Sequence, residues 1–468
     1  MIHSINRLML AAPKSGSGKT TITCGLLSLF QLKNITCRSF KCGPDFIDPM
    51  FHKHVLGIDG GNLDTFFLEK KEVSEQLIHQ SQGSSLSLIE GVMGYYDGMG
   101  GNQTWASSYD VANAVSAPVV LILDGKGASL SLVPVVKGFL EYKEDSQIAG
   151  VILNRTSSVI AERLTPEIEA LGVRVYGYLP ECEEARLSSR HLGLVLPEEQ
   201  RDLKEKFGKL ARKLDETIDV EGLIHLAGNA PALQSESVRE YGAAVSKNKE
   251  KVAIGIARDE AFCFYYQENL KLLEEMGAKL IPFSPLHEEH LPEGICGLIL
   301  GGGYPELYLN ELSHNSVMRE EIRLLAALDL PILAECGGFL YLHEEVESKE
   351  HVSYPMAGVI KGRGYPVGKL VRFGYIEALV KKQTAFLNQG EKIRGHEFHY
   401  WDSTNNGTYM EAGKPGREQR YSCMHGEESI LAGFPHLYYP SNPCLPQGFI
   451  KNCRNWEKTV GKKGFNHE

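Results

Sequence analysis

Short apolar runs alternate with longer amphipathic segments along most of this chain. The runs with the length of buried strands are RLMLAAP, LSLIEG, APVVLILD, IAGVILNR and RVYGYLPE, then, after residue 250, KVAIGIARD, AKLIPFSPL, CGLILGGG and LPILAECGG. Apolar strands separated by helix-length segments are typical of βαβ units with a parallel sheet. The pattern therefore predicts an α/β protein whose sheets are mainly parallel.

This alternation is interrupted between about residue 198 and residue 250. The charged stretch there predicts one or two helices, and SESVREYGAAVSKNKEK predicts a polar linker. We therefore expect a first α/β domain over residues 1–197, a helical segment and linker over 198–249, and a second α/β domain over 250–443. The polar residues 444–468 are expected to form a solvated C-terminal tail.

Composition excludes several classes of protein. The 49 basic and 59 acidic residues give a formal charge of -10, which argues against a protein that binds nucleic acid through its phosphate backbone. The ten cysteines form no repeated C-x-x-C pairs, which indicates reduced thiols and a cytoplasmic location. The sequence predicts no signal peptide, and no apolar run approaches the roughly 18 residues of a membrane-spanning helix.

The stretch AAPKSGSGKT, residues 11–20, joins a predicted strand to a predicted helix through a glycine-rich turn. The turn ends like a phosphate-binding loop, although Pro13 occupies the place of the usual first glycine. Residues 14–20 instead fit the deviant loop Lys-Gly-Gly-x-Gly-Lys-Thr in all but one position. A glycine-rich turn without a ligand is the alternative. The expected ATP contacts are Lys14, Gly16, Ser17, Gly18, Lys19, Thr20 and Thr21.

Acidic residues are expected at the same edge of the first sheet. KCGPDFIDPMFH contains Asp45 and Asp48, and LIEGVMGYYDG contains Glu90 and Asp97. Carboxylates so close to phosphate require a divalent cation between them. We therefore predict an Mg²⁺ site formed by Thr20, Asp45 and Glu90, and expect Asp48 and Asp97 to orient a substrate or help activate it. The alternative is that these carboxylates are turn and cap residues.

A second set of candidate catalytic residues lies in the second domain. Cys336 stands between an apolar strand and a Gly-Gly sequence, where a sharp turn exposes a nucleophile and a helix N-terminus is expected to lower the pKa of the thiol. His436 is the candidate base. An oxyanion or glutamine site is expected from Gly301, Gly302, Gly303 and Gly337.

These motifs resemble a known combination of domains. Cys336, the GGGYPEL loop and His436 look like a class I glutamine amidotransferase domain, and the first domain is similar to dethiobiotin synthetase. KCGPDFIDPMFH, NLDTFF, IEGVMGYYDG, GHEFHY and HLYYPSNP resemble the motifs of the corrin and tetrapyrrole amidases, most closely the cobyrinic acid a,c-diamide synthases, over about residues 5–443. Two departures stand out. The usual His-Pro-Glu is absent, so the third triad member is missing or comes from elsewhere, and Tyr438 replaces a histidine common in relatives.

The resemblance implies how the two chemistries combine. ATP would convert the a and c acetate carboxylates of cobyrinic acid to acyl phosphates, and the second domain would supply ammonia from glutamine. It also implies that Asn154 lies near the adenine, although a plain turn residue is the alternative, and that Asp64 contacts the tetrapyrrole. His396 and His399 of GHEFHY are expected to border the active-site region rather than chelate one metal ion, because a strand directs them to opposite faces.

Alternatives remain for the substrate and for the class of function. The same scaffold could amidate nickel sirohydrochlorin or hydrogenobyrinic acid, for which the site residues would hardly differ. A deviant phosphate-binding loop also occurs in partitioning ATPases, which act as switches, but the Cys336 turn argues against that function. A homodimer is compatible with the resemblance.

Overall fold

The computed structural model describes residues 1–185, 197–235 and 251–459. The chain divides into two compact units, Met1–Arg239 and Glu240–Glu468. None of the helices in the described ranges has the length and apolar character needed to cross a membrane.

The first unit is built on a parallel sheet, as the apolar runs predict. Its strands are β1 Ile2–His3, β2 Arg7–Ala11, β3 Cys37–Cys42, β4 Gly60–Leu63, β5 Leu86–Glu90, β6 Val119–Asp124, β7 Ile148–Asn154, β8 Arg174–Leu179 and β9 Leu233–Gln234. Seven of them pair in the order β4-β3-β5-β2-β6-β7-β8, with every neighbouring pair parallel. The central strand β2 leads into the glycine-rich turn, which therefore lies at the middle of the carboxyl edge, where ligands bind in open α/β sheets.

Helices cover this sheet. They are α1 Lys19–Leu32, α2 Ile47–Leu56, α3 Lys70–Gln80, α4 Ser108–Ala114, α5 Leu132–Glu141, α6 Ser158–Glu169, α7 Pro197–Thr217 and α8 Val220–Gly228. The predicted helices after residue 198 are thus α7 and α8. They belong to the first unit, because Phe207, Leu210 and Leu214 of α7 are buried in the same apolar core as Leu26 of α1. The expected domain end at residue 197 was therefore placed too early, whereas the polar linker over residues 236–250 lies outside the described residues.

Arg7 ties the beginning of the first unit to its end. The side chain is fully buried and donates through Nε to the Val115 carbonyl, through Nη1 to the Ile5 carbonyl and through Nη2 to the Ser116 and Pro231 carbonyls, at 2.5 to 3.1 Å. Burial lowers the pKa of Arg7 to about 10, so the guanidinium stays charged at neutral pH. A buried charge of this kind is tolerated because several oxygens accept its hydrogen bonds.

The second unit combines one mainly parallel sheet with two smaller sheets. Its strands are β10 Val252–Ala257, β11 Ala278–Phe283, β12 Leu298–Leu300, β13 Ile332–Glu335, β14 His343–Glu347, β15 Ser353–Pro355, β16 Ile360–Pro366, β17 Arg372–Val380, β18 Lys392–His399, β19 Trp401–Ser403, β20 Met410–Gly413, β21 Arg420–Cys423, β22 His425–Gly426, β23 Ile430–Gly433 and β24 His436–Leu437. The main sheet has the order β11-β10-β12-β13-β23-β22, and only its last pair is antiparallel. The other two have the orders β21-β20-β17-β18-β24 and β15-β14-β16-β19.

The helices of the second unit are α9 Gln267–Glu275, α10 Leu309–His314, α11 Ser316–Ala327, α12 Gly337–Tyr341 and α13 Cys444–Thr459. The last of them corrects the sequence analysis, which expected a solvated tail from residue 444. Leu445, Phe449, Cys453 and Trp456 are buried. Their spacing of three and four residues places them on one helical face, and this apolar face is what the polar composition of the segment concealed. The remaining tail residues, 460–468, lie outside the described part of the chain.

Candidate active site

The glycine-rich turn of the first unit has the backbone of a phosphate-binding loop. Gly16 and Gly18 adopt left-handed conformations, with φ of 76° and 95°, and α1 begins directly after Gly18. A Cβ on Gly18 would lie 2.1 Å from Nδ2 of Asn154, so a side chain there would displace that amide. Ser17 is buried and donates from Oγ to the Lys14 carbonyl at 3.0 Å, which closes the turn. The backbone N–H groups of the turn therefore lie at the N-terminus of α1, where an anion is favoured.

Lys19 and Thr20 begin the helix beside this turn. Lys19 Nζ donates to the Met93 carbonyl at 2.6 Å and to the Lys14 carbonyl at 3.4 Å. Burial, together with nearby Lys41, lowers the pKa of Lys19 to about 8. Thr20 Oγ1 donates to Oε1 of Glu90 at 2.6 Å. The hydroxyl of Thr20 therefore contacts the acidic end of β5 directly, and its role at a metal site stays a prediction.

Lys41, which the sequence analysis did not single out, lies at the centre of the acidic cluster. It is the register partner of Glu90 on neighbouring parallel strands, and Nζ lies 2.8 Å from Glu90 Oε1 and 2.5 Å from Asp48 Oδ2. Burial alone would lower the pKa of Lys41, but the Glu90 and Asp48 carboxylates raise it well above its usual value. Lys41 is one of two basic residues in β3, CRSFKC, so the sequence pattern alone did not single it out. Through its two ion pairs, Lys41 holds Asp48 and Glu90 in one cluster. The sequence had instead predicted a metal-binding role for Glu90 and a substrate-orienting role for Asp48.

The carboxylates of this cluster are only partly compensated by Lys41. Burial raises the pKa of Glu90 to about 7 and, with nearby Asp48, that of Asp45 to about 6. Burial alone would also raise the pKa of Asp48, but Lys41 and His52 hold it below its usual value. Glu90 Oε2 is buried and accepts no hydrogen bond within the described residues. A hydroxyl beside a buried carboxylate with a free oxygen fits a hard cation such as Mg²⁺.

Protein side chains alone would not complete such a site. Within the described residues, no group of three His, Cys, Asp or Glu side chains is placed to hold a metal ion. Asp45 directs Oδ1 toward the backbone N–H of Ile47 at 2.8 Å, at the start of α2. Mg²⁺ commonly takes part of its coordination from phosphates and water, so Thr20 and Glu90 suit a metal that arrives with a nucleotide.

Three other predicted site residues form hydrogen bonds with backbone groups. Asn154 Nδ2 donates to the Ser17 carbonyl at 2.8 Å, so it supports the turn itself. Asp64 Oδ1 accepts from the Phe66 N–H at 2.7 Å, and Asp97 Oδ2 accepts from the Gly94 N–H at 2.9 Å. These are turn contacts, and they leave the proposed roles in adenine and substrate binding as predictions. Thr21 is half-buried in the first turn of α1.

Cys336 lies in the sharp strand-to-helix turn that the sequence predicts. Its φ of 47° is left-handed, an uncommon conformation for a residue other than glycine, and the turn joins β13 to α12. The Cys336 N–H donates to the Gly433 carbonyl at 2.8 Å, which anchors the turn to the neighbouring strand. The expected low thiol pKa is wrong for this state: burial, followed by nearby Glu306, raises the pKa of Cys336. The five-residue α12 and the Gly337 N–H do not outweigh that burial.

The glycines around Cys336 are packed without room for side chains. A Cβ on Gly302 would lie 2.3 Å from Cε1 of His436, and one on Gly337 would lie 2.8 Å from Pro305 Cδ. The N–H of Gly301 donates to the Tyr265 hydroxyl at 2.9 Å. This bond removes Gly301 from the expected oxyanion donors, so Gly302, Gly303 and Gly337 remain the candidates.

His436 is buried in β24, next to His396 of β18 in the strand register. Burial, with His396 and His399 nearby, lowers the pKa of His436 to about 3, so the imidazole is neutral and can accept a proton. His399 stacks on Phe434 with the ring centres 4.0 Å apart. The two histidines of GHEFHY therefore border the His436 region, and the described residues hold no cluster that would bind a metal there.

Comparisons with known proteins cover both units. Residues 8–195 match the family model of the CobQ/CobB/MinD/ParA nucleotide binding domain, and residues 253–443 match that of the CobB/CobQ-like glutamine amidotransferase domain. A cobyrinate a,c-diamide synthase of Caldanaerobacter subterraneus subsp. tengcongensis is 39% identical over 453 residues, which covers 96% of this chain and 98% of the relative. Proteins of the same name from Thermoplasma volcanium and Salmonella typhimurium are 33% and 35% identical, covering 97% and 95% of this chain and 98% of each relative.

Proposed function

Because this chain belongs to the cobyrinate a,c-diamide synthase family, we propose that it converts the a and c acetate carboxylates of cobyrinic acid to amides, with ATP as activating substrate and glutamine as nitrogen donor. The observation that carries the proposal is the strained Cys336 turn, with φ of 47°, in a chain that also holds a phosphate-binding loop. A switch ATPase needs the loop alone. The additional nucleophile favours an amidating ligase.

The first unit is assigned the activation step. A carboxylate does not react with ammonia at neutral pH because oxide is a poor leaving group, whereas an acyl phosphate offers phosphate in its place. Lys19 would exchange the Met93 carbonyl for phosphate oxygens of ATP, and Lys41 holds Glu90 beside Thr20. Mg²⁺ held by Thr20 and Glu90, with Asp45 close by, would neutralise charge on the transferring phosphoryl group.

The second unit is assigned the release of ammonia. Cys336 gives its proton to His436, the sulfur attacks the side-chain amide carbon of glutamine, and the N–H groups of Gly302, Gly303 and Gly337 stabilise the oxyanion. The C–N bond then breaks, and ammonia leaves with the proton from His436. Water hydrolyses the thioester to glutamate and restores the thiol. The raised pKa of Cys336 is compatible with this scheme, because the thiolate forms only as His436 takes the proton.

Cys336→Ala provides the experiment that tests the proposal. We expect it to abolish amidation of cobyrinic acid with glutamine but to preserve amidation with high ammonium salt, because only glutamine requires the thiol. His436→Ala should show the same split. Amides are counted by mass spectrometry, with nickel sirohydrochlorin and hydrogenobyrinic acid as competing substrates.

A matched control for the loss of a cysteine is Cys444→Ala, which removes an exposed thiol at the start of α13. This variant should use both nitrogen sources like the parent. Loss of both activities in a folded Cys336→Ala protein would contradict the separation into two reactions.

Assembly, location and the finer substrate contacts belong to the same proposal. We expect a homodimer in the cytoplasm, with Asp48, Asp64 and Asp97 as candidate contacts to the tetrapyrrole. All ten cysteines are free thiols in the structure, in agreement with a reducing compartment. Sedimentation at several concentrations would test for a species of twice the 51.9 kDa chain mass.

A further inference from the structure

The position that usually supplies an acid to the histidine of a glutaminase triad holds a tyrosine in this chain. Tyr438 is buried, and its ring packs edge-on against Tyr266 with the centroids 5.3 Å apart. A phenol in an aromatic contact does not replace a carboxylate. An acid that orients His436 would therefore have to come from another part of the second unit.

A carboxylate faces His436 from the neighbouring sheet. Glu335 is the last residue of β13, directly before Cys336, and its Oε2 lies 4.0 Å from Nδ1 of His436. Its Oε1 accepts from the N–H of Leu437 at 3.2 Å. The same side chain thus contacts the residue after His436 and faces the imidazole ring.

The segment that carries His436 has a second anchor that is independent of Glu335. Asn269 donates from Nδ2 to the Leu437 carbonyl and accepts from the Tyr439 N–H at Oδ1, both at 2.8 Å. These two bonds fix the backbone on both sides of Tyr438, whereas the Glu335 carboxylate also faces the imidazole ring. The contact with the imidazole calls for a different explanation.

We propose that Glu335 is the positioning carboxylate of the glutaminase, which keeps the Nδ1–H of His436 directed toward itself and leaves Nε2 to accept the proton of Cys336. This inference rests on the proposed function. The distance of 4.0 Å exceeds a hydrogen bond, and such contacts in free enzymes often tighten only when substrate binds. The carboxylate also balances the positive charge that His436 acquires when the thiol is deprotonated, the role that the acid has in a Ser-His-Asp triad.

The other titratable groups around His436 and Glu335 are uncharged at neutral pH, so Glu335 is the group that can balance a positive charge on His436. His396 and His399 face His436, and burial lowers the pKa of both to about 4. The side chain of Tyr439 is hydrogen-bonded to that of Glu335, Tyr265 is packed near it, and burial raises the pKa of both phenols. All four are neutral at pH 7. Burial raises the pKa of Glu335 itself to about 8, so the free site is close to neutral until His436 becomes charged.

Glu335→Gln is the decisive variant, because it keeps an oxygen for the Leu437 N–H and removes only the charge. We expect kcat/KM for glutamine hydrolysis to fall about 100-fold or more, in the range of general acid–base effects, while amidation with ammonium salt is unchanged. The rate at which an alkylating glutamine analogue labels Cys336 should rise near pH 8 in the parent, as Glu335 ionises, more steeply than ionisation of the thiol alone would give, and this additional rise should disappear in Glu335→Gln.

Two further variants separate positioning from simple anchoring. Asn269→Ala weakens the segment without changing its charge, so it should lower the labelling rate but keep the rise near pH 8. Glu335→Asp retains the charge and should also keep that rise, which provides the test if Glu335→Gln does not fold. Glutamine hydrolysis within about twofold of the parent in folded Glu335→Gln, or loss of the rise in folded Glu335→Asp, would overturn the inference. A parent protein that hydrolyses no glutamine would instead overturn the proposed function.

Discussion

Glu90 has two neighbours that donate hydrogen bonds to the same carboxylate oxygen. Thr20 and Lys41 both donate to Oε1, whereas Oε2 is buried without a hydrogen bond from the described residues. Lys41 keeps the carboxylate in place but does not fully compensate the cluster, since the pKa of Glu90 is still raised to about 7 by burial. Glu90 Oε2 is therefore the oxygen to which the proposed Mg²⁺ would add a partner.

Substitution of Glu90 tests the proposed Mg²⁺ site. Glu90→Gln should lower the affinity for Mg²⁺ in the presence of ATP by about 10- to 100-fold, because the amide cannot carry the charge. This range is typical of substitutions around a bound metal. Asp45→Asn should have a smaller effect in the same direction, since Asp45 Oδ1 already accepts a hydrogen bond from the Ile47 N–H at the start of α2. Titration calorimetry with ATP at several Mg²⁺ concentrations provides the measurement.

Asp97→Asn is the matched control for Glu90→Gln. Asp97 contacts the Gly94 N–H and is proposed to contact substrate, so the variant should bind Mg-ATP like the parent. If both variants retain the full Mg²⁺ dependence, the cluster consists only of turn and cap residues, and the metal is held elsewhere.

At the scale of elements, hydrophobicity predicts the parallel strands well and the others poorly. Strands such as β6, VVLILD, are covered on both faces and appear as continuous apolar runs. In contrast, β16, IKGRGYP, is mostly half-buried or exposed and contains Lys361 and Arg363, and strands of this kind in the two smaller sheets gave no comparable signal. The Cys336 turn and the phosphate-binding loop were predictable because glycine spacing marks them. Lys41 and Glu335 were not, because their roles depend on contacts across strands.

Helix α13 offers a prediction at the same scale. Phe449 is fully buried and its ring stacks with that of Phe386, so Phe449→Ala should lower the free energy of unfolding of the second unit by about 3–5 kcal/mol. Lys451 of the same helix is exposed, and Lys451→Ala should change the free energy of unfolding by less than about 0.5 kcal/mol. Urea titration followed by circular dichroism would measure both. Equal values for the two variants would restore the interpretation of this segment as a solvated tail.

The two units are assigned separate reactions. A substitution in one unit should therefore abolish its reaction while the other unit keeps its own. Lys19→Ala should abolish amidation from glutamine and from ammonium salt alike, because neither nitrogen source reacts without the acyl phosphate. Labelling of Cys336 by a glutamine analogue should persist in this variant, since the thiol belongs to the other unit. Normal synthesis with ammonium salt in Lys19→Ala would refute the role of the loop in phosphate binding.

The buried Arg7 also affects how the first unit is made. Its guanidinium binds the Pro231 carbonyl, 224 residues later in the chain. At about 5–20 residues per second, a ribosome completes that partner roughly 11 to 45 s after Arg7. During this interval a charged side chain at the head of the central strand lacks one of its acceptors. We therefore expect the first unit to reach its native state only once α8 and the segment after it have left the ribosome.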